Sequence, residues 1–351
     1  MVEQADDPAR LAAWHYWRGF LQGLTGGQPA VAIEHCLRAA EIASAAGFNE
    51  LDGFVASCLA QAYIVAGELP AARDAARRAV SILEARHDLW PACRALWHVS
   101  SAANYLGEWQ ESFDACRRAL DYSATLNDAL LKTAGLWRAA HAHIQQGDIE
   151  EGLRYCDDAL ALQPIPYHSA AARAVRGYGL IKAGRMETGI SELSEVVTWF
   201  ESSRLAYFWS IATLWLAEGH IARGEATTAR PLIQQVIERT RAIGYLHFEG
   251  LAHHLMGECL GAEEPVAAED HADTAMRILE RCGAQNDFAK ALTTRAELWR
   301  LAGDLRMARE LLTRAKEIFL TLGTRTEAAR VDTALAALDR DERIAQLAGA
   351  P

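Results

Sequence analysis

Between Phe288 and Gly323 the apolar positions fall into two helical stripes. Phe288, Leu292, Ala296 and Trp299 follow one another at steps of 4, 4 and 3, as on a helix with one buried face. Gly303-Asp304 interrupts the pattern, which restarts at Ala308, Leu311, Leu312, Ala315, Ile318, Phe319 and Leu322 and stops at Gly323. Glycine lets the backbone turn where other residues are strained, and Asp304 sets a negative charge at the positive end of the next helix. The segment predicts an antiparallel helical hairpin of about 35 to 40 residues, which needs neighbours to bury both stripes.

The rest of the chain supplies them. Marks matching Gly303 occur at Gly27, Gly67, Gly107, Gly147, Gly184, Gly224 and Glu263, spaced by 40, 40, 40, 37, 40, 39 and 40 residues. Five residues after each mark stands a small side chain (Ala32, Ala72, Ser112, Gly152, Gly189, Ala229, Ala268, Ala308), as close approach of two helix backbones requires. Fifteen residues further on come Gly47, Asn127, Gly244, Gly283 and Gly323, the residue types that most readily close a helix in left-handed geometry. His87, Tyr167 and Arg204 hold that register elsewhere, so those exits are expected to be built differently. Pro231 is expected to distort the start of its helix. The prolines of Leu162–Ser169 mark a break between residues 1–163 and 164–323. Residues 324–351, with Ala328, Val331, Ala334, Leu335 and Leu338 on one face, predict a capping helix and tail.

In its second hairpin, Leu59, Ala60 and Tyr63 followed by Gly67, Ala72, Ala76 and Ala79 resemble the tetratricopeptide-repeat (TPR) signature. In the fourth, Pro164 lands on that family's helix-ending proline. The period exceeds the family's usual 34 residues. The resemblance implies an all-α fold, a right-handed α-solenoid of about eight TPR-like hairpins. Residues 245–335 further resemble the helical tail of large bacterial signalling proteins of the nucleotide-cyclase/ATPase or maltose-activator type. No cyclase or ATPase activity carries over to this stretch.

Charge and composition narrow the function. With 46 Asp and Glu against 35 Lys and Arg, the net charge is −11, which argues against nucleic acid or anionic membrane as partner. Lysine is scarce: Lys132, Lys182, Lys290 and Lys316. The start lacks a secretory pattern and the apolar runs are short, so a cytoplasmic protein is expected. Seven cysteines without a CxxC pair suit reduced thiols, and Cys36, Cys116 and Cys156 share one packing register. His141 and His143, like adjacent His253 and His254, lack the three- or four-residue spacing of helical metal ligands. Phosphate-loop, dinucleotide and nucleophile-elbow motifs are absent. No enzyme, cofactor or metal is expected.

In the resembled family the first helix of each hairpin lines the concave side. Ten residues before the marks this face carries Trp17, Trp97 and Trp137, with Arg94, Asn104, Tyr105, His141, Gln145, Tyr178 and Lys182 nearby. Aromatics beside Arg, Asn and Gln suit anchoring of a peptide or protein, though the indoles could equally pack between repeats. The family's chaperone carboxylate clamp is not matched, since Gln61, Ser101, Tyr178, Glu218 and Glu297 stand at most of its positions. The expected function is a non-catalytic scaffold binding a protein or peptide in its concave groove, in bacterial signalling or transcriptional regulation. The alternative is small-molecule inducer sensing, which a compact, deep cavity would favour over an open trough. Self-association through a terminal repeat stays open.

Overall fold

A computed structural model of the protein describes residues 7–25 and 27–348, so the first six residues and the last three of the tail lie outside the described residues. Eight hairpins follow in order. They pair α1 (Pro8–Thr25) with α2 (Pro29–Ala45), α3 (Asp52–Ala66) with α4 (Leu69–Ala85), α5 (Leu89–Leu106) with α6 (Trp109–Thr125), and α7 (Ala129–Gln146) with α8 (Ile149–Ala161). Then come α9 (Pro166–Lys182) with α10 (Met186–Ser202), α11 (Ala206–Ala222) with α12 (Ala226–Ile243), α13 (Leu246–Leu260) with α14 (Pro265–Cys282), and α15 (Gln285–Leu301) with α16 (Leu305–Leu322). Helix α17 (Arg325–Ala348) lays Ala328, Val331 and Leu338 on the last hairpin as the expected cap. No strand occurs among the described residues.

The sequence registers are explained by contacts. Ala32, Ala72, Ser112, Ala229, Ala268 and Ala308 are fully buried. A Cβ at Gly152 or Gly189 would lie 2.8 Å from the Ala140 carbonyl oxygen or 2.7 Å from that of Gly177, so nothing larger fits. Asp304 accepts a hydrogen bond from the Met307 backbone N–H at 2.9 Å, a true N-cap. Several other acids near the turns instead bridge repeats, as in Arg73–Glu108 and Arg230–Glu264, both 2.5 Å. Cys36, Cys116 and Cys156 are buried and all seven cysteines are free thiols.

Two expectations are corrected. His87 and Arg204 adopt φ of 60° and 55°, the same left-handed exit as the glycines, and Gln163 (φ 50°) takes that role in place of Tyr167. The closing hydrogen bonds enforce it: Asp88 N–H donates to Leu83 C=O at 2.9 Å, and Leu205 N–H to Phe200 C=O at 3.0 Å. Pro231 sits inside α12 without breaking it. The carbonyl that loses its partner belongs to exposed Thr227, where water can satisfy it. The seventh turn agrees with its sequence, GECLGAEEPVAAED, which puts Gly261 and a proline-containing loop in place of the Gly-acid pair: it turns at Gly261 (φ 45°) ahead of Pro265.

The solenoid closes on itself. Pro29 lies 3.8 Å from the Cβ position of Gly244, and that of Gly67 lies 3.0 Å from His247 N. The Gly107 position meets Leu322 at 2.9 Å, and the Gly147 position meets Thr326 N at 3.1 Å. Asp148 pairs with Arg325 at the same level. These links join the turns of the first four hairpins to helix ends one superhelical level on: the exits of α12 and α16 and the starts of α13 and α17. Gly184, Gly224 and Gly303, whose hairpins have no such successor, face nothing within 4 Å.

Replacing a left-handed glycine by alanine costs about 1–2 kcal/mol from the backbone alone. Gly303→Ala should lose that much, whereas Gly67→Ala should lose clearly more, because its Cβ collides with the seam. Equal losses in denaturant titrations would mean that the seam is open in solution. Conversely, His87→Gly and Arg204→Gly should each raise stability by about 0.5–1 kcal/mol, the backbone strain relieved less the added unfolded-chain entropy.

Candidate functional site

Because the seam joins the turns, the first helices face inward around a common space. The larger cavity, of about 390 Å³, draws its walls from α5, α7, α9, α11, α13, α15, α16 and α17. A smaller one of about 90 Å³ lies among α3, α5, α7, α9 and α11. Tyr105, Ile211 and Trp215 belong to both walls.

In the larger cavity every buried charge is met by an opposite one. Lys182 pairs with Glu218 and, at 3.7 Å, with Glu327, which also accepts from Arg330 at 3.1 Å. Lys290 reaches Asp287 at 3.2 Å and donates to Gln145 Oε1 at 3.2 Å. Asp287 also meets His247 Nε2 at 2.9 Å. Burial opposes the charge on Asp287, yet Lys290 and His247 together hold its carboxyl well below the usual range. Burial likewise opposes the charge on Lys182, and Glu218 and Glu327 raise it nonetheless. Tyr178 stacks on Trp215 with centroids 4.7 Å apart and its hydroxyl donates to Gln145 at 3.4 Å. Glu258 is the exception. It has no ion-pair partner among the described residues and stays open to water within the cavity. The surrounding protein and the Glu218 carboxylate push its pKa up to about 7.

The smaller cavity holds most of the remaining aromatics. Trp137 Nε1–H donates to His168 Nδ1 at 3.2 Å. The Arg138 guanidinium lies between two indoles, 3.9 Å from the ring centroid of Trp137 and 4.8 Å from that of Trp97. Asn104 bonds His141 Nδ1 at 2.9 Å, and burial lowers the His141 pKa to about 3, so that ring is neutral. The Tyr105 and Tyr207 hydroxyls meet at 2.6 Å.

Of the residues singled out by sequence, Tyr105, Gln145, Tyr178 and Lys182 line the larger cavity, and Asn104, Tyr105, Trp137 and His141 the smaller. Trp97 is buried behind Arg138. Trp17 and Arg94 are elsewhere. Trp17 is 55% exposed on α1 beside Tyr16 and Phe20, and Arg94 covers Phe20 at 5.1 Å. Sequence reading passed over Arg138, Tyr207, Glu258, Asp287, Lys290 and Glu327. A usable signal existed for Lys290, since two of the four lysines face this one cavity. Among the described residues no cluster of three or more His, Cys, Asp or Glu could hold a metal, and no helix is long and apolar enough to cross a membrane.

No family model and no curated protein matches the sequence. Solved structures do. The chain superposes on the APC/C hetero-tetramer Cut9-Hcn1 with a TM-score of 0.61 at 14% identity, over 90% of this chain and 57% of that one. It superposes on a Rap protein complexed with competence and sporulation factor with a TM-score of 0.59 at 12% identity, over 94% and 98%. The chain thus spans little more than half of the first of these. At such identities the likeness establishes the fold, which is that of a TPR-like helical-repeat domain.

Glu258 gives this cavity a testable pH signature. A carboxyl whose folded pKa exceeds its unfolded value destabilises the fold wherever it is ionised. The penalty is full above pH 7, shrinks as pH falls, and is gone below the ordinary value of 4.5. Glu258→Gln should therefore raise the melting temperature at pH 8 and leave it unchanged at pH 4.5. A gain of the same size at both pH values would assign it to packing instead.

Proposed function

We propose that this TPR-like solenoid is a non-catalytic scaffold that holds a short peptide segment, or the end of a partner protein's chain, in its central cavity. The observation that carries the reading is the convergence of the inward helix faces on one space with aromatic platforms and fixed polar groups. Tyr178, Trp215 and Tyr105 offer rings, while Gln145, Thr293 and Glu258 offer hydrogen bonds at the wall. The paired charges of Lys182, Lys290 and Asp287 hold those walls rigid, which lowers the ordering cost of binding. The Rap structure matched above is complexed with competence and sporulation factor, and this supports reading the fold as one that can hold a bound partner. We place the chain in bacterial signalling or transcriptional regulation, in the cytoplasm, either as a stand-alone subunit or as the sensing segment of a larger regulator.

A second reading, sensing of a small-molecule inducer, is favoured by the seam. It turns the concave side into a compact space of about 390 Å³, within the range of about 300–1,000 Å³ typical of small-ligand pockets.

Panning a library of short random peptides against the full chain separates the two. Peptides recovered on the wild type should bind at least tenfold more weakly to Thr293→Trp, whose indole fills the cavity, and equally to Leu320→Ala on the exposed face of α16. If both variants bind like wild type, the central-cavity assignment is wrong. Failure to enrich any peptide, with small metabolites raising the melting temperature, would favour the second reading.

A further inference from the structure

The smaller cavity differs from the larger in one respect: its cation has no counter-ion. Most other buried or half-buried cations are matched, as in Arg295 with Asp273 at 2.9 Å and Arg176 with Glu192 at 2.7 Å. Arg94, outside both cavities, lies over Phe20 and Trp90 without an ion pair among the described residues. Arg138 forms no ion pair among the described residues. Its hydrogen bond is from Nη1 to the Ala134 carbonyl of its own helix at 3.1 Å, and its Nε is buried without a partner. None of the residues around this cavity is Asp or Glu, in a chain that carries 46 of them.

A guanidinium enclosed by protein without an anion is costly. The two indoles offset part of that cost through their negative faces but leave the in-plane Nε–H donor unused. Two further groups in the same wall are incomplete. His98 Nε2 has no partner, and neither does Asn104 Oδ1, on a side chain only 5% exposed. The remaining wall is apolar and aromatic, including Val65, Tyr167, Phe208 and Ile211.

We infer that the smaller cavity is a binding subsite for a compact carboxylate, with Arg138 as its charge partner and the apolar wall taking a short hydrocarbon tail. Guanidinium and carboxylate match in shape and can form two parallel hydrogen bonds. His98 Nε2, in the tautomer that carries its proton there, can donate a further hydrogen bond to the carboxylate, whereas Asn104 Oδ1 only accepts and is left for a donor such as ordered water. The space of about 90 Å³ equals roughly three waters at about 30 Å³ each. That suits a free acid of about four to six non-hydrogen atoms. It also suits the carboxylate end of a longer molecule that passes the shared Tyr105–Trp215 boundary into the larger cavity. The inference rests on the concave wall being a binding surface, as in the proposed function, but it requires no peptide.

The test uses the full chain with propionate and isobutyrate, their primary amides, inorganic phosphate, and short peptides with free or amidated C-termini. Calorimetry and thermal shift provide the readouts. The free acids should bind and raise the melting temperature, while the amides should bind at least tenfold more weakly. Arg138→Gln should abolish that preference. Gln61→Glu, which places an isosteric carboxylate in the same wall, should weaken acid binding at least tenfold without unfolding the protein. It provides the variant test should Arg138→Gln fail to fold. Equal binding of acid and amide, binding of phosphate in preference to carboxylate, or no binding of any acid would overturn the inference. A peptide that binds only with its C-terminus free would identify a chain end as the source, and binding of the small acids alone a free metabolite. Peptides that still bind when no acid does would remove the subsite and keep the scaffold; acids that bind when no peptide does would do the reverse.

Discussion

The structure depends on one contact repeated along a seam: the turn of each of the first four hairpins against a helix end one superhelical level on. Gly67, Gly107 and Gly147 make it possible twice over. Each takes a positive φ to close its own hairpin, and each leaves out the Cβ that would strike the next superhelical level. A solenoid is ordinarily held by nearest neighbours, so that stability is a sum of local terms. Here longer-range links are added, among them Asp148–Arg325, Tyr105–Tyr207 and Gln145–Lys290. They turn an open trough into an enclosed space.

Much of the fold was legible in the sequence because its causes are local. The turn glycines, the small residues after them and the apolar stripes are each required by one hairpin and its immediate neighbour. The misread exits show where local reasoning stops. His87, Gln163 and Arg204 are not residues that seek left-handed geometry, yet the hydrogen bonds that end α4, α8 and α10 place them there. A residue's own preference was outweighed by the packing of the helices on either side.

The site was less legible for a different reason. The helix face was found, and Tyr105, Trp137, His141, Gln145, Tyr178 and Lys182 do come together on the two cavity walls. Which of these groups are satisfied depends largely on partners 31 to 145 positions away, across the seam or the next repeat. Asp287 is an ordinary surface-type acid in the sequence and becomes buried between His247 and Lys290. Arg138 stands next to a tryptophan that was singled out, but nothing local shows that no carboxylate reaches it. Trp17 belongs to the same register as Trp97 and Trp137, yet it is exposed on α1 beside Tyr16 and Phe20, away from both cavities.

The seam and the cavity also constrain each other. Tyr105 is part of the cavity wall and touches His247 at 4.7 Å across the closure, while Gln145 and Lys290 join α7 to α15 at the cavity wall. A ligand that contacts both sides binds the closed form better than an opened one, and by linkage it stabilises the closure by that difference in affinity. The converse holds as well: weakening the seam lowers apparent affinity even where no ligand contact is lost. In this chain the glycines that shape the superhelix are therefore part of the energetics of the site, although they lie outside it.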